Sequence, residues 1–400
     1  MLPSQQQLLI PLLETMRELG GNVSTRELCT QLAEKVEISQ EERTRTTDMP
    51  SAKAINVWDR QVRWTQQLAK FHQYVAHRDT YWTLTEAGDS TLQNARPGVI
   101  VTIFETENGV ALWAEAEATV NIIEDDTVAA IITSPPYPLL RKKDYANQLD
   151  EAEHVTWLAN FFGHAKQKLC HDGSLVLNLG PVWQPGQPST SLYAERLLIK
   201  LCDEIGYHLA QKFYWHNPSK MPSPAEWVTV RRIRVTPAVE EVYWLSKNLH
   251  SQRGGPHVPK ADNSKVLRPY SQSMLDRIAA GGEKGKARPS GHQLKQGAFN
   301  TDNGGSIPHN IIVAANTSSN DAYQRYCRKN NLTAHPARFP SELPEFFIQM
   351  LTEPGEIIWD PFGGSLQTSE SARKLDRRFI TNEKSLAFLD GGIGGRLATF

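Results

Sequence analysis

The segment Val128–Tyr137, VAAIITSPPY, determines the fold of the larger part of the chain. Its first residues are small or branched and apolar without polar alternation, a pattern typical of a parallel strand buried on both faces. Two consecutive prolines then end the strand, because neither carries an N–H group for a sheet hydrogen bond. The sequence therefore predicts a stiff turn, Ser134-Pro135-Pro136-Tyr137, at the carboxyl end of a central strand, where open α/β sheets bind ligands.

The chemical groups of this turn favour a clamp for a planar ring that bears an amino group. The Ser134 hydroxyl and a proline carbonyl can accept the two amino hydrogens, and the Tyr137 ring can stack on a flat partner. No base accompanies the serine, so the turn is a poor nucleophilic site. The plain alternative is a proline-rich loop that only ends a strand.

A second motif lies near the C-terminus. Glu356–Asp360 is predicted to be a strand, Pro361–Leu366 a tight glycine loop followed by a helix, and Arg377–Glu383 a second strand. The acid Glu383 stands nineteen residues beyond Gly364. Glycines let a backbone approach a ligand, and an acid about 20 residues further on binds ribose hydroxyls. The spacing therefore indicates a nucleoside-binding βαβ unit.

Together the two motifs resemble those of the DNA amino-methyltransferases. Ser-Pro-Pro-Tyr resembles their catalytic motif, in the form most typical of cytosine-N4 enzymes, and Asp360–Leu366 resembles their S-adenosylmethionine loop. The order, with the catalytic turn first and the cofactor loop last, is that of the permuted β class. The resemblance covers about residues 120–400 and implies methyl transfer to the exocyclic amine of a base flipped out of duplex DNA. Adenine N6 and RNA remain open alternatives to cytosine N4.

The resemblance also implies roles for individual residues. The catalytic residues would be Ser134, Pro135, Pro136 and Tyr137. The cofactor-binding residues would be Asp360, Phe362, Gly364, Ser365 and Glu383, together with His335, Pro336 and Phe339 of the segment that closes over the cofactor.

Leu366 departs from the family pattern, because it stands where the family usually has its last loop glycine. A leucine adopts positive φ only with strain. Four glycines, Gly391, Gly392, Gly394 and Gly395, also interrupt the helix expected after Glu383. The alternative from another class is therefore a DNA-binding protein that has lost its chemistry.

Residues 5–92 predict three helices and a β-hairpin, the composition of a small α+β winged helix. They resemble the N-terminal module of Mrr-type restriction proteins, chiefly in Arg60–Trp64 and Trp82–Gly88. We expect the helix at about 55–72 to enter a DNA groove. Its polar side chains are Arg60, Arg63, Gln66, Gln67 and Lys70. The alternative is an ordinary solvated face on a module that mediates protein contacts.

The predicted organisation is a winged-helix domain at 1–95, a linker at 96–119 and a Rossmann-like, doubly wound α/β methyltransferase domain at 120–400. A DNA target-recognition region is expected at about 247–330, since residues 247–296 hold ten Lys or Arg and three acidic residues. Three further cations beside the turn suit a phosphate backbone, namely Arg141, Lys142 and Lys143.

Composition limits the remaining possibilities. The chain has 400 residues and a formal net charge of −1, so any basic surface is local. Four cysteines without paired spacing (Cys29, Cys170, Cys202, Cys327) indicate a reducing compartment and no metal site. The chain lacks an apolar run of membrane-spanning length, so we expect a cytoplasmic protein without a membrane partner. A cognate restriction endonuclease is the partner that the resemblance implies, in a restriction-modification system that produces N4-methylcytosine.

Overall fold

A computed structural model describes residues 2–3, 5–49, 52–92, 94–138, 150–184, 186–249, 260–283, 285, 294–316 and 320–398. The chain divides into two compact units, Met1–Ala95 and Arg96–Phe400. The cations at 141–143, predicted to contact phosphates, lie outside the described residues.

The first unit combines helices with two small sheets. Its helices are α1 Gln5–Glu18, α2 Thr25–Lys35, α3 Gln40–Thr44, α4 Val57–Phe71 and α5 Glu86–Leu92. Its strands are β1 Asn22–Ser24, β2 Thr46–Met49, β3 Ala52–Asn56, β4 Val75–Arg78 and β5 Tyr81–Leu84. The strands β1, β5 and β4 form one antiparallel sheet, and β2 pairs with β3. The apolar faces of the helices meet in a core that includes Leu12, Leu28, Trp58 and Val62.

Local signals explain this unit in part. The Ser24 hydroxyl caps α2 by accepting a hydrogen bond from the Glu27 N–H at 3.3 Å. The predicted helices and the β4–β5 hairpin are present. The β2–β3 hairpin was not predicted, because the segment TTDMPSAKAIN lacks apolar alternation.

The second unit contains a nine-stranded mixed sheet, counted over the residues that the structure describes. Its strands are β6 Val101–Thr106, β7 Gly109–Trp113, β8 Val128–Thr133, β9 Leu169–Leu179, β10 His208–His216, β11 Val239–Ser246, β12 Ile311–Val313, β13 Ile357–Asp360 and β14 Arg378–Glu383. Their order is β12-β10-β11-β9-β8-β13-β14-β7-β6. The central strands β9, β8, β13, β14 and β7 run parallel, and β11 is antiparallel to both of its neighbours.

Helices cover both faces of this sheet. The helices of this unit are α6 Ala116–Val120, α7 Glu151–Lys168, α8 Tyr193–Asp203, α9 Gln272–Ala279, α10 Ala322–Lys329, α11 Glu342–Leu351, α12 Gln367–Lys374 and α13 Leu386–Gly392, of which α9 buries no side chain. Along β9, Leu175 and Leu177 pack in the same cluster as α7 and α8, whereas Val176 packs with α11. Successive side chains of a strand point to opposite faces, so the sheet lies between two helical layers.

The predicted linker at 96–119 is wrong. The hairpin β6–β7 extends the sheet, and β7 pairs in parallel with β14, so the larger unit begins at Arg96 rather than at 120. The signal was available in the sequence, because Asn108-Gly109 between two apolar runs is typical of a tight hairpin turn.

The predicted DNA-contacting region at 247–330 is too long at its C-terminal end. The strand β12 pairs in parallel with β10, and Tyr323 and Cys327 of α10 are buried. Ile312 of β12 and these two residues of α10 are therefore buried in the second unit. In the described part of the chain, no helix is long and apolar enough to cross a membrane.

Candidate active site

Two loops emerge at the same edge of the sheet, because β8 and β13 are adjacent and parallel. The turn at Ser134 follows β8, and the glycine loop follows Asp360 at the end of β13. The Thr133 hydroxyl donates a hydrogen bond of 2.6 Å to Asp360 Oδ1, and both residues are 2% exposed. This buried bond fixes the two predicted motifs side by side.

The turn presents a hydroxyl next to an aromatic ring. Ser134 Oγ lies 3.0 Å from the Tyr137 hydroxyl, and Pro135 is buried while Pro136 and Tyr137 are partly exposed. Gly180, which follows β9, leaves room for the ring, since a Cβ there would lie 3.3 Å from Tyr137. The predicted catalytic residues are therefore together, with the serine oxygen at the end of the strand.

A polar cluster that the sequence did not indicate lies beside Tyr137. Glu240 accepts hydrogen bonds from Asn178 Nδ2 at 3.0 Å and from Lys220 Nζ at 3.2 Å. A Cβ on Gly180 would also lie 3.5 Å from Glu240 Oε2, so this carboxylate and the Tyr137 ring line the same spot. These residues come from different strands and their connections, and no local spacing marks them as a group.

The glycine loop closes on Glu383. The Gly364 N–H donates to Glu383 Oε2 at 2.8 Å, and the Ser385 N–H donates to Oε1 at 2.8 Å. Burial raises the pKa of Glu383 to about 6, and burial also raises the pKa of Asp360 to about 6. Gly364 has φ of 52°, and a Cβ there would lie 3.4 Å from the His335 imidazole. The Gly364 backbone, which carries no side chain, thus lies between the Glu383 carboxylate and the His335 imidazole ring.

The other residues predicted to bind cofactor have distinct surroundings. The Phe362 ring packs edge-on against Trp157 and Phe161 of α7, which gives its side chain a packing role. Phe339 is partly buried against the core, whereas Pro336 is exposed. Ser365 is 4% exposed, and its carbonyl accepts a hydrogen bond of 2.9 Å from Arg396 Nε.

Leu366 adopts the strained conformation that its position requires, with φ of 58°, and its side chain is fully buried. A Cβ on Gly392 would lie 2.8 Å from Leu366 Cδ1, so the glycine provides the space that the leucine occupies. One of the four glycines, at the end of α13, therefore accommodates the leucine of the loop, whereas the other three lie against Tyr323, Tyr326 or Cys327 of α10.

A buried cation holds the same loop from the C-terminus. Arg396 donates to Glu370 at 2.6 Å and to Asp321 at 3.3 Å, in addition to the Ser365 carbonyl. Its guanidinium also lies 5.3 Å from the centre of the Tyr323 ring. The sequence did not reveal this network, because its members lie 26 to 75 residues from Arg396.

The α4 helix of the first unit carries the residues predicted to contact DNA. Arg63 is exposed, and the Arg60 guanidinium lies 5.0 Å from the centre of the Trp64 ring. Gln66 does not belong to this exposed face, because it is 1% exposed and bonds to the Thr25 hydroxyl at 3.4 Å. Among the residues that the structure describes, no group of His, Cys, Asp or Glu is arranged to hold a metal ion.

The parallel strands and the two adjacent loops indicate a class of protein. Comparison of the chain with models of known protein families identifies that class. The model described as DNA methylase matches residues 128–392, and the chain belongs to this family. The model described as Mrr N-terminal domain matches residues 6–94. Both resemblances inferred from the sequence are thereby confirmed.

Individual relatives give the same assignment. The chain is 41% identical to the type II methyltransferase M.PvuII of Proteus hauseri over 300 residues, which cover 72% of this chain and 86% of that protein. It is 23% identical to M.ScaI of Streptomyces caespitosus, over 77% of this chain and 88% of that protein. The solved structure of the cytosine-N4-specific PvuII DNA methyltransferase matches with 35% identity and a TM-score of 0.57, over 74% of this chain and 88% of that one. The match confirms the predicted Rossmann-like fold.

Proposed function

We propose that this chain methylates the exocyclic N4 of cytosine in duplex DNA, with S-adenosylmethionine as methyl donor. The observation that carries the proposal is the Thr133–Asp360 hydrogen bond of 2.6 Å, which fixes the turn at Ser134 beside the glycine loop. The identity of 41% to M.PvuII and the cytosine-N4 specificity stated for the PvuII structure support the choice of base.

The glycine loop fits the cofactor. The Gly364 backbone carries no side chain that would separate it from His335, and Glu383 is a carboxylate that accepts hydrogen bonds at the end of β14. Glu383 would accept the ribose hydroxyls, and Asp360, Gly364 and Ser365 would hold the methionine part. His335 would cover the loop, with Pro336 and Phe339 in the same segment, and Phe362 would contribute its backbone. The bound cofactor supplies an electrophilic methyl group.

The turn would act on the amine that receives the methyl group. The lone pair of an aromatic amine is shared with the ring, so the amine is a weak nucleophile. Hydrogen bonds accepted by Ser134 Oγ and the Pro135 carbonyl favour a more tetrahedral nitrogen, which occurs only in the transition state. Pro136 stiffens the turn, and Tyr137 would stack on the flipped base.

Duplex DNA would contact both units. We propose that Arg60 and Arg63 of α4 bind DNA in a winged-helix arrangement, and that the basic region from residue 247 and the cations at 141–143 bind phosphates. A salt-independent affinity of the full chain for DNA would contradict these contacts.

We also propose a cognate endonuclease that cuts the sequence methylated by this chain. Plasmid methylated by the chain should then resist that endonuclease, and unprotected cleavage would contradict the pairing.

The test is to incubate the protein with labelled S-adenosylmethionine and mixed-sequence duplex DNA, and to identify the modified nucleoside by mass spectrometry. We expect N4-methylcytosine. N6-methyladenine would retain the mechanism and overturn the base assignment. Absence of methylation together with absence of cofactor binding by calorimetry would indicate a DNA-binding protein without chemistry.

A further inference from the structure

The connection between β10 and β11, residues 217–238, exposes apolar side chains next to the proposed base site. Met221 is 79% exposed, and among the large apolar side chains that the structure describes only Val235, at 86%, is more exposed. A methionine this exposed has no role in the core of its own chain. Its side chain is therefore free to contact a partner outside the chain.

Met221 directly follows a residue whose side chain reaches the polar cluster beside Tyr137. Its neighbour Lys220 bonds to Glu240 Oε1 at 3.2 Å, and Glu240 Oε2 and the Tyr137 ring face the same position at Gly180. One residue thus separates Met221 from the polar cluster beside the ring proposed to stack on the flipped base.

The turn at residues 217–220, which directly precedes Met221, is anchored at its base. The Lys220 N–H donates to the Asn217 carbonyl at 3.1 Å, and the Ser219 N–H donates to Asn217 Oδ1 at 3.0 Å. The Asn316 N–H also donates to Asn217 Oδ1 at 3.4 Å, and Asn217 is 8% exposed. A buried asparagine therefore fixes the start of the connection, so Met221 is presented from a built turn.

The charge of the same connection favours DNA over an apolar protein surface. Arg231, Arg232 and Arg234 are exposed, whereas Glu226 is the acidic residue of residues 217–238. Glu226 pairs with Arg231 at 2.7 Å. A connection that carries an exposed apolar side chain and exposed cations matches a partner that has a phosphate backbone and stacked apolar bases.

We propose that Met221 enters the DNA stack and fills the space left by the target cytosine when that base turns into the site; this inference rests on the proposed function. Removing a base from the stack costs a few kcal/mol of stacking and pairing, and an apolar side chain inserted in its place offsets part of that cost. A methionine suits the gap because it is unbranched and polarisable and adapts to flat aromatic neighbours.

The test compares two duplexes that differ only opposite the target. The target cytosine is first located by sequencing plasmid methylated by the wild-type protein, and is then placed opposite guanine or opposite an abasic site in synthetic duplexes. Met221→Ala should lower kcat/KM roughly tenfold relative to wild type on the paired duplex, because it must extract a paired base without a replacement. On the abasic duplex, where pairing is already absent, the two proteins should agree within about twofold.

Two control variants sharpen the comparison. Met221→Leu, which keeps apolar volume, should retain most of the activity on the paired duplex. Val235→Ala, at the more exposed position of the same connection, should match wild type on both duplexes. An equal loss for Met221→Ala on both duplexes, or no loss on either, would overturn the inference. A wild-type protein that methylates no DNA would contradict the proposed function itself, whereas the outcomes above contradict only the role of Met221.

Discussion

The two loops of the site are made rigid in different ways. The turn after β8 is stiff because consecutive residues Pro135 and Pro136 restrict its backbone, and its partner Tyr137 is three residues from Ser134. The loop after β13 depends on residues far along the chain, because Arg396 binds the Ser365 carbonyl and Gly392 accommodates Leu366. The hydroxyl and ring of the turn are thus held by residues next to them in the sequence, whereas the proposed cofactor loop depends on tertiary contacts.

The largest expected effect is on the tertiary support of the glycine loop. Arg396→Met should lower the free energy of unfolding by about 3–5 kcal/mol, because it removes two charge-assisted hydrogen bonds, one to the Ser365 carbonyl and one to Glu370, which retains only Lys374 and Gln367 as partners. Urea denaturation followed by tryptophan fluorescence measures the change. Cofactor affinity, measured by calorimetry, should fall in the same variant.

A matched control is available on α10. Arg325 is exposed, and it donates to the Asn320 carbonyl without entering the buried network. Arg325→Met should therefore change the free energy of unfolding by less than about 0.5 kcal/mol. Equal destabilisation by both variants would mean that the buried network does not hold the loop.

A substitution in the turn at Ser134 should have the opposite effect, with a lower kcat and little change in the free energy of unfolding. Ser134→Ala should lower kcat by about 30- to 150-fold, equivalent to roughly 2–3 kcal/mol of transition-state stabilisation, because one acceptor for the amine is removed. Cofactor affinity and urea denaturation should match wild type. An unchanged kcat in single-turnover measurements would refute the clamp.

The same contrast explains how much could be predicted from the sequence. The turn at Ser134 and the βαβ unit ending at Glu383 were predictable, because each is encoded by consecutive residues with a fixed spacing. Arg396 was not predictable, because its partners are brought together only by packing of α10 and α12. Leu366 was identified as a departure, but its compensation by Gly392 required the three-dimensional contact. The β6–β7 hairpin is different, since the Asn108-Gly109 pair between two apolar runs is sufficient to predict it from the sequence.

The Leu366–Gly392 contact can be tested by a double-mutant cycle. Gly392→Ala should destabilise the protein by about 1–3 kcal/mol, because the added Cβ overlaps the leucine side chain. In a Leu366→Ala background the contacts with Cγ and Cδ1 are absent and the contact with the Cβ at 3.0 Å remains, so the same substitution should cost about 1 kcal/mol or less. Urea denaturation of the four proteins measures the coupling. Equal effects of Gly392→Ala in both backgrounds would show that the glycine does not serve the leucine.

The smallest expected effect is a pH dependence of cofactor binding at Glu383. Its pKa is raised to about 6, so the carboxylate takes up a proton as the pH falls through 6 and loses its capacity to accept ribose hydroxyls. Affinity for S-adenosylmethionine should be constant above about pH 7 and weaker by about tenfold at pH 5, measured by calorimetry. Glu383→Gln should bind more weakly at pH 7.5 and with a shallower profile, and the slope that remains would belong to Asp360, whose pKa is also about 6. A flat wild-type profile between pH 5 and 8 would mean that cofactor binding does not depend on an ionised Glu383. The glycine loop after β13 would then lose its proposed ribose acceptor, whereas its support by Arg396 and Gly392 would be unaffected.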